Sequence, residues 1–164
     1  DSMWARGQGW TIFGFTVAAQ WTGSNAYRDL AQRAAERFMA ELPADHIPRW
    51  DLRLPPDAPQ YFDTSASAIA ASGLLRLARL VDAPVREQMQ RHAETLLTAL
   101  AKFQLETDPT GQGILRGGTY HAHKKLGVNE YFICGDYFFL EALLMANDQC
   151  PDFWGPESED ALDF

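Results

Sequence analysis

Apolar and polar residues recur along the chain with the period of α-helices, in five segments separated by loops. The first segment, residues 5–22, is apolar on almost every side, which is typical of a helix enclosed by neighbours. Residues 64–81 begin with a run of small side chains that lets another helix approach closely, and residues 135–146 are again strongly apolar. The pattern therefore predicts that the first, third and fifth helices are inner helices.

The second and fourth segments are amphipathic instead. In the second, apolar side chains recur every three or four positions between Tyr27 and Leu42, and charged residues occupy the other face. The fourth begins near Pro84, a residue suited to the start of a helix, and runs to Phe103. Enclosed helices that alternate with amphipathic ones predict an all-α toroid, in which an outer ring surrounds an inner ring.

Five helices do not close such a ring, and an open edge exposes apolar surface that soluble monomers avoid. We therefore expect a partial toroid. Its edge is expected to be covered either by an N-terminal half that precedes residue 1 or by a second copy in a homodimer. Residues 1–164 are interpreted as the C-terminal half of one domain.

Two long loops and a tail complete the predicted organisation. Residues 43–62 contain five prolines and form an ordered loop, in which Trp50 needs a surface to pack against. Residues 107–130 contain five glycines. The acidic tail, residues 151–164, is predicted to lie on the surface.

Composition narrows the choice of function. The chain has 164 residues, of which 46% are hydrophobic and 22% charged, so one domain with a substantial core is expected. No apolar run reaches the roughly 18 residues of a membrane-spanning helix. A net charge of -8 argues against nucleic-acid binding and means that an anionic ligand needs a local cationic site. The two cysteines, Cys134 and Cys150, indicate neither a metal site nor a disulfide framework, and leave the compartment open.

The densest candidate for chemistry is WARGQGW, residues 4–10, at the start of the first helix. Trp4 and Trp10 offer ring faces that stack on a pyranose, and Arg6 between them suits a carboxylate or sulfate. These residues are therefore predicted to contact an acidic sugar. In the alternative interpretation the tryptophans pack the helix start and Arg6 donates a hydrogen bond to a carbonyl.

The second candidate is the glycine loop GGTYHAH, residues 117–123. Tyr120 and His121 are predicted ligand contacts, although a surface loop with solvated histidines has the same pattern. His121 and His123 lack an obvious third metal ligand, so no metal is expected. The acidic residues do not form a pair across a cleft, as a glycosidase needs, because caps or turns explain each of the three candidates, Asp51, Asp63 and Asp136.

Four segments together resemble unsaturated glucuronyl hydrolases, glycoside hydrolase family 88. WARGQGWTIFG at residues 4–14 is similar to that family's W-A-R-G-Q-x-W-x-x-Y/F-G, and PRWD at residues 48–51 to its P-x-W-D. DTSASAIAASGLL at residues 63–75 resembles DSSAAAIAASGLL, and GDYFFLEALL at residues 135–144 resembles GDYYFxEALL. The matches follow the family's order over residues 4–146.

This resemblance implies an (α/α)6 barrel and a bacterial hydrolase without metal or organic cofactor. It implies removal of a 4,5-unsaturated uronic acid from the non-reducing end of oligosaccharides left by polysaccharide lyases, by hydration of the double bond. Trp4, Arg6 and Trp10, with Tyr120 and His121 from the late loop, become substrate contacts by this match. The family's catalytic aspartates lie in its N-terminal half, so no catalytic residue is assigned here and this chain alone is expected to be inactive.

Two alternatives to this hydrolase remain open. One is a non-catalytic α-toroid that binds acidic sugars, and the other is a related six-hairpin enzyme such as an unsaturated rhamnogalacturonyl hydrolase or a sugar epimerase. Gln8 in the first motif favours the glucuronyl hydrolases, because the rhamnogalacturonyl relatives more often have asparagine there. The partner is expected to be an unsaturated oligosaccharide rather than nucleic acid or membrane. The cytoplasm and the periplasm are equally compatible with the sequence.

Overall fold

The computed structural model describes residues 2–149 and 153–156, and in these residues it contains five α-helices and one short 3-10 helix. Their bounds are α1 (Ala5–Thr22), α2 (Asn25–Ala40), α3 (Thr64–Ala78), α4 (Val85–Phe103) and α5 (Ile133–Ala146), with the 3-10 helix at Ala122–Lys124. The first helix spans the predicted residues, whereas the third ends earlier and the fifth begins earlier than predicted. Gly23 ends α1 with a left-handed φ of 67°, which glycine adopts without steric cost.

Helix α3 lies at the centre of the molecule. Every one of its residues except Leu75 is buried, and it packs against α1, α4 and α5. The small side chains predicted to permit close approach do so, because a Cβ atom placed on Gly73 would lie 2.9 Å from the backbone of Phe13 in α1. The central inner helix is therefore confirmed, together with the reason for its small residues.

The amphipathic helices form the outer layer. Helix α2 packs mainly on α1, and helix α4 on α3, each burying only one face. The buried residues of these faces are Ala31, Ala35 and Phe38 on α2, and Met89, Ala93, Leu96, Leu97, Ala99 and Leu100 on α4. The structure thus confirms the alternation of inner and outer helices that the sequence pattern predicted.

Helix α5 ends the layer of inner helices and leaves apolar side chains facing solvent. Ile133, Tyr137, Leu140 and Leu144 are between 43% and 75% exposed and recur every three or four residues along one face. We call these four residues the α5 stripe. It has the character of the open toroid edge expected from the sequence. No described helix combines the length and apolarity needed to cross a membrane.

Residues 153–156 have the predicted surface position, since Phe153 and Trp154 are 71% and 39% exposed, but they are also attached to two helices. The ring of Trp154 packs edge-to-face with Phe13 at 5.4 Å and stacks on Phe138 at 6.4 Å. Its indole N–H donates to Glu141 Oε1 at 2.8 Å. Aromatic packing and the hydrogen bond to a buried carboxylate draw this segment back onto α1 and α5. The other tail residues, together with Cys150, lie outside the described residues.

Candidate functional site

The predicted sugar-contacting segments meet around a cavity of about 440 Å³. Its walls come from the residues around the start of α1, the proline-rich loop and the glycine loop. The lining residues are Ser2, Trp4, Arg6, Trp50, Thr119, Tyr120, His121, Ala122 and His123. No aspartate or glutamate is among them, although the chain carries a net charge of -8. The cavity therefore combines aromatic walls with a local excess of basic side chains.

Backbone hydrogen bonds fix the proline-rich loop beside the start of α1. Ala5 N–H donates to the Trp50 carbonyl at 3.0 Å, and Leu52 N–H donates to the Met3 carbonyl at 2.9 Å. The carboxylate of Asp51 accepts the Met3 N–H at 2.9 Å and the Ser2 hydroxyl. These bonds place Trp50 in the same cavity as Trp4 and satisfy its need for a packing surface. The Trp50 ring meets His123 edge-to-face at 4.7 Å.

Arg6 contributes to the cavity wall but is only 5% exposed. Its Nη1 donates to the Thr119 carbonyl at 2.8 Å and to Asp63 Oδ2 at 3.3 Å, and its Nη2 donates to the Tyr120 carbonyl at 2.8 Å. The guanidinium also lies 5.2 Å from the ring centre of Trp4. Direct contact between Arg6 and a sugar stays a prediction. The carbonyl bonds of the alternative interpretation are present.

Asp63 is the buried partner of Arg6. It occupies the residue before α3, but its side chain makes no capping hydrogen bond and instead faces Arg6 and the Ser65 hydroxyl, the latter at 2.5 Å. Burial raises the pKa of Asp63 to about 6, outweighing the opposing effects of the Arg6 cation and the Ser65 hydroxyl. Asp63 thus occupies the predicted cap position, but its carboxylate serves a contact between distant segments.

The structure brings four of the five predicted contact residues to the cavity. Trp4 and Tyr120 are 46% and 56% exposed there, and His121 lies in the wall with its Nδ1 facing the Lys124 N–H at 3.4 Å. Trp10 does not line the cavity. Its ring packs edge-to-face with Phe13 and Phe138, at centroid distances of 6.0 and 5.2 Å. The substrate role of all five residues stays a prediction.

Among the aromatic and histidine side chains of the wall, the sequence predicts no contact with a sugar for Trp50 and His123. The sequence predicts only a packing role for Trp50, and it offers His123 only as a possible metal ligand. Among the described residues, no three histidine, cysteine or acidic side chains cluster in a way that could hold a metal ion. The contact between Trp50 and His123 joins two loops, so no local pattern could have indicated it.

Asp136 does not line the cavity and instead binds residues 114–115, which precede the glycine loop. Its two carboxylate oxygens accept the N–H groups of Ile114 at 3.0 Å and Leu115 at 2.9 Å. It lies in the first turn of α5, where a carboxylate is also favoured by the helix dipole. Its role is therefore the attachment of a loop to a helix start.

A larger hollow of about 710 Å³ lies elsewhere, against α3, α4 and the end of α5. Its lining mixes acidic and basic side chains, such as Arg79, Arg86, Glu94 and Asp148, and includes no aromatic residue. It shares no residue with the first cavity. The smaller cavity is therefore the better candidate for a sugar site, because it has the aromatic surface on which sugar rings stack.

Comparison with known proteins finds relatives that are named as hydrolases of unsaturated sugars. The chain is 37% identical to the unsaturated glucuronyl hydrolase of Bacillus sp. (strain GL1) over 156 residues, which cover 93% of this chain and 41% of that protein. It is 33% identical to the unsaturated chondroitin disaccharide hydrolase of Streptococcus pneumoniae, covering 88% of this chain and 37% of that protein. The chain spans about two fifths of the length of these curated relatives. No protein-family model matches the chain.

Comparison with solved structures also finds unsaturated glucuronyl hydrolases. The crystal structure of the Bacillus sp. GL1 enzyme superposes with a TM-score of 0.87, covering 94% of this chain and 42% of that one at 37% identity. A variant of the Streptococcus agalactiae unsaturated glucuronyl hydrolase, in complex with dGlcA-GalNAc6S, has a TM-score of 0.83 at 31% identity, covering 88% and 39% of the two chains. The matched region is the C-terminal part of these proteins, and the predicted partial (α/α)6 barrel is confirmed.

Proposed function

Because the chain is homologous to the C-terminal part of unsaturated glucuronyl hydrolases, which confirms the resemblance drawn from its motifs, we propose that it forms the substrate-binding wall of such an enzyme. The enzyme removes a 4,5-unsaturated uronic acid from the non-reducing end of oligosaccharides produced by polysaccharide lyases. The names of the relatives support this substrate class, and one structural neighbour contains dGlcA joined to a sulfated sugar.

The composition of the cavity carries the proposal. An unsaturated uronic acid has a flattened ring and a carboxylate, so it suits exposed aromatic faces and is repelled by acidic side chains. Trp4, Trp50 and Tyr120 supply the aromatic surface, and the histidines His121 and His123 lie beside them without any neighbouring carboxylate in the wall. An acidic chain that keeps carboxylates out of one aromatic cavity is suited to an anionic sugar.

Hydration of the double bond requires a general acid. A carboxylic acid protonates the vinyl ether at C4 and assists the addition of water at C5, which produces a hemiketal. The hemiketal then opens and the glycosidic bond is lost. Because the cavity wall contains no carboxyl group, we assign the proton donor to the part of such a protein that lies outside the region matched here. In this proposal the present chain binds and orients the sugar.

The proposal also includes a partner for the α5 stripe. Four apolar side chains spaced along one helix face are suited to packing against another helix. The relatives contain more than half of their length outside the matched region, and we propose that an equivalent helical segment, or a second copy of this chain, covers the stripe.

Two other functions are distinguishable. A non-catalytic toroid that binds acidic sugars is compatible with a cavity wall that has no carboxyl group. An unsaturated rhamnogalacturonyl hydrolase would use the same aromatic surface for a different disaccharide. Binding without turnover would support the first alternative, and a preference for rhamnogalacturonan products would support the second.

The test uses the protein expressed from its natural reading frame. It is incubated with unsaturated disaccharides from chondroitin, heparin and rhamnogalacturonan, and loss of the ultraviolet absorbance of the conjugated double bond is followed. We expect turnover of a glycosaminoglycan disaccharide. Trp4→Ala should lower kcat/KM by about tenfold or more, since stacking on an aromatic ring contributes on the order of 1–2 kcal/mol.

Trp21→Ala is the matched control. Trp21 lies on α1, which begins directly after Trp4, and is 59% exposed, but it does not line the cavity. Its replacement should leave kcat/KM within about twofold of the wild type. An equal loss in the two variants would contradict the placement of the sugar against Trp4.

A further inference from the structure

The guanidinium of Arg6 joins three segments that are far apart in the sequence. It bonds to Asp63 at the start of α3 and to two consecutive carbonyls, those of Thr119 and Tyr120, in the glycine loop. We propose that Arg6 and Asp63 form a buried latch that fixes residues 117–127 against α1 and α3, and that these two residues serve binding by positioning Tyr120 and His121. The latch itself rests on the observed contacts, and only its effect on turnover rests on the proposed function.

The bonds to the carbonyls are the part of the latch that holds the loop. Thr119 is 2% exposed, so its carbonyl has little access to water that could replace Arg6. A buried acceptor that loses its donor costs about 1–3 kcal/mol, which gives the loop a reason to move when Arg6 is changed. The planar guanidinium reaches both carbonyls at 2.8 Å, a geometry that the single ammonium of lysine does not reproduce.

Asp63 acts on the loop through Arg6 and through a hydrogen bond with the backbone of Thr119. It is fully buried and is not among the residues that line the cavity, so it does not contact a ligand there. Its Oδ2 lies 3.3 Å from Arg6 Nη1 and compensates the buried charge, while its Oδ1 accepts the Ser65 hydroxyl. Above the pKa of about 6 that burial gives Asp63, its ionised carboxylate is the counterion of this buried guanidinium, and replacing Asp63 in that pH range leaves the charge without one.

The latch also adjoins the aromatic walls. The carbon at the centre of the guanidinium lies 5.2 Å from the ring centre of Trp4 and 4.8 Å from that of Phe132. The Phe132 ring in turn meets the Tyr120 ring at 5.9 Å. A displaced guanidinium would therefore affect the Trp4 wall together with the Tyr120 loop.

The latch predicts behaviour that a direct sugar contact by Arg6 does not. If Arg6 contacts the ligand itself, Asp63→Asn leaves the loop ordered and impairs binding much less than Arg6→Lys. If Arg6 acts through the loop, both substitutions release the same backbone groups. The double variant then resembles each single variant, because the two residues act as one unit.

Hydrogen exchange of the protein from its natural reading frame is the direct test. The amides of Gly118, Tyr120, His121 and Leu126 report on the loop, since each donates to a backbone carbonyl within residues 121–130. In Arg6→Lys and in Asp63→Asn we expect these amides to exchange about tenfold faster or more, while those of α4 change little. Unchanged exchange of these four amides in a folded Asp63→Asn protein would overturn the latch.

Arg76→Lys provides the matched control. Arg76 pairs with Glu141 at 3.1 Å and is as deeply buried as Arg6, but it lies near the end of α3 and does not line the cavity. Its substitution should lower overall stability without a selective increase of exchange in residues 117–127. If Arg76→Lys releases the loop to the same extent, the effect is general destabilisation and the latch is refuted.

If Arg6→Lys and Asp63→Asn fail to fold, Ser65→Ala tests the latch in their place. It removes one hydroxyl that bonds both latch residues, at 3.3 Å from Arg6 Nη1 and 2.5 Å from Asp63 Oδ1, and leaves the ion pair intact. We expect a smaller increase in exchange, about threefold, in the same four amides. An unchanged loop in this variant, or an increase spread evenly over the helices, would refute the latch.

Kinetics separates this inference from the proposed function. With an unsaturated chondroitin disaccharide, Asp63→Asn should raise KM about tenfold with a smaller change in kcat, and the double variant with Arg6→Lys should be no worse than Arg6→Lys alone. An unchanged KM in Asp63→Asn would overturn the role of the latch in binding. If the wild type turns over no unsaturated disaccharide, the proposed function fails, and the exchange experiment still decides whether the latch exists.

Discussion

At the scale of single residues, the ionisation of Asp63 is the feature with the clearest measurable consequence. Its carboxylate has no exposure to solvent and faces one cation, Arg6. Burial raises its pKa from the ordinary value of 3.8 to about 6, so the folded protein binds a proton more readily than the unfolded chain does. Between these two values the proton is bound in the folded state only, and its binding favours folding.

The sign of the pH dependence follows from this order of pKa values. The stabilisation associated with protonated Asp63 is present below the unfolded value and is lost as the pH rises through about 6. Between about pH 4.5 and pH 7, the free energy of unfolding of the wild type should therefore fall by on the order of 2 kcal/mol relative to that of Asp63→Asn. Urea unfolding at the two pH values measures this difference.

Asp51→Asn is the control for this prediction. Burial acts to raise the pKa of Asp51, but hydrogen bonds from the Ser2 hydroxyl and the Met3 N–H more than offset it, so its pKa is lowered. Asp51 is then ionised in both states above its ordinary value of 3.8. The difference in free energy of unfolding between wild type and Asp51→Asn should stay constant from about pH 4.5 to pH 7. If the difference for Asp63→Asn is also constant over this range, the raised pKa of Asp63 is contradicted.

At the scale of the helices, the close approach of α1 and α3 decides which glycines can be replaced. A Cβ atom at Gly73 would lie 2.9 Å from the Cα and N atoms of Phe13, and backbone atoms do not move aside easily. A Cβ atom at Gly14 would meet nothing within 4 Å. Substitution by alanine is therefore expected to change the free energy of unfolding in opposite directions at these two glycines.

Gly73→Ala is expected to lower the free energy of unfolding by about 1–3 kcal/mol, because it overpacks the contact between the two helices. Gly14→Ala should instead raise it by about 0.5–1 kcal/mol, since alanine loses less backbone entropy than glycine on entering a helix. Urea unfolding of both variants gives the two values. A neutral Gly73→Ala would show that the helices are not in the close contact described.

At the scale of the whole molecule, the α5 stripe determines what surrounds this chain. Leu140 is 46% exposed within the stripe, and Leu30 is 37% exposed on the outer helix α2. The two leucines are similar in exposure, but only Leu140 belongs to a continuous apolar face. Substitution of each by glutamate therefore distinguishes a covered surface from a solvated one.

In the protein from its natural reading frame, Leu140→Glu should lower the unfolding midpoint by about 5 °C or more if another helical segment or a second copy covers the stripe, because a carboxylate would be buried there. Leu30→Glu should shift it by less than about 2 °C. Thermal unfolding followed by circular dichroism measures both, and sedimentation distinguishes a second copy from a segment of the same chain. Equal shifts would contradict the proposed cover.

Much of this architecture could be predicted from the sequence, because helix patterns depend on neighbours three and four residues away. The bounds of α1, the small-residue face of α3 and the amphipathic α4 follow from that local information. The motif at residues 4–10 likewise indicated where one wall of the cavity lies. The direction in which each side chain of that motif points could not be predicted in the same way, and Trp10 lies against Phe13 and Phe138 rather than in the cavity wall.

The sequence by itself determined the helices, their inner or outer position and the relationship to unsaturated glucuronyl hydrolases, since these depend on local periodicity and on residue order. Only the tertiary structure decided the partners of Arg6, which lie 57 positions away at Asp63 and more than 110 positions away in the glycine loop. It also decided that Trp50 and His123 share one wall. Such contacts arise when packing brings distant segments together, and hydrogen bonding then selects among the side chains that meet.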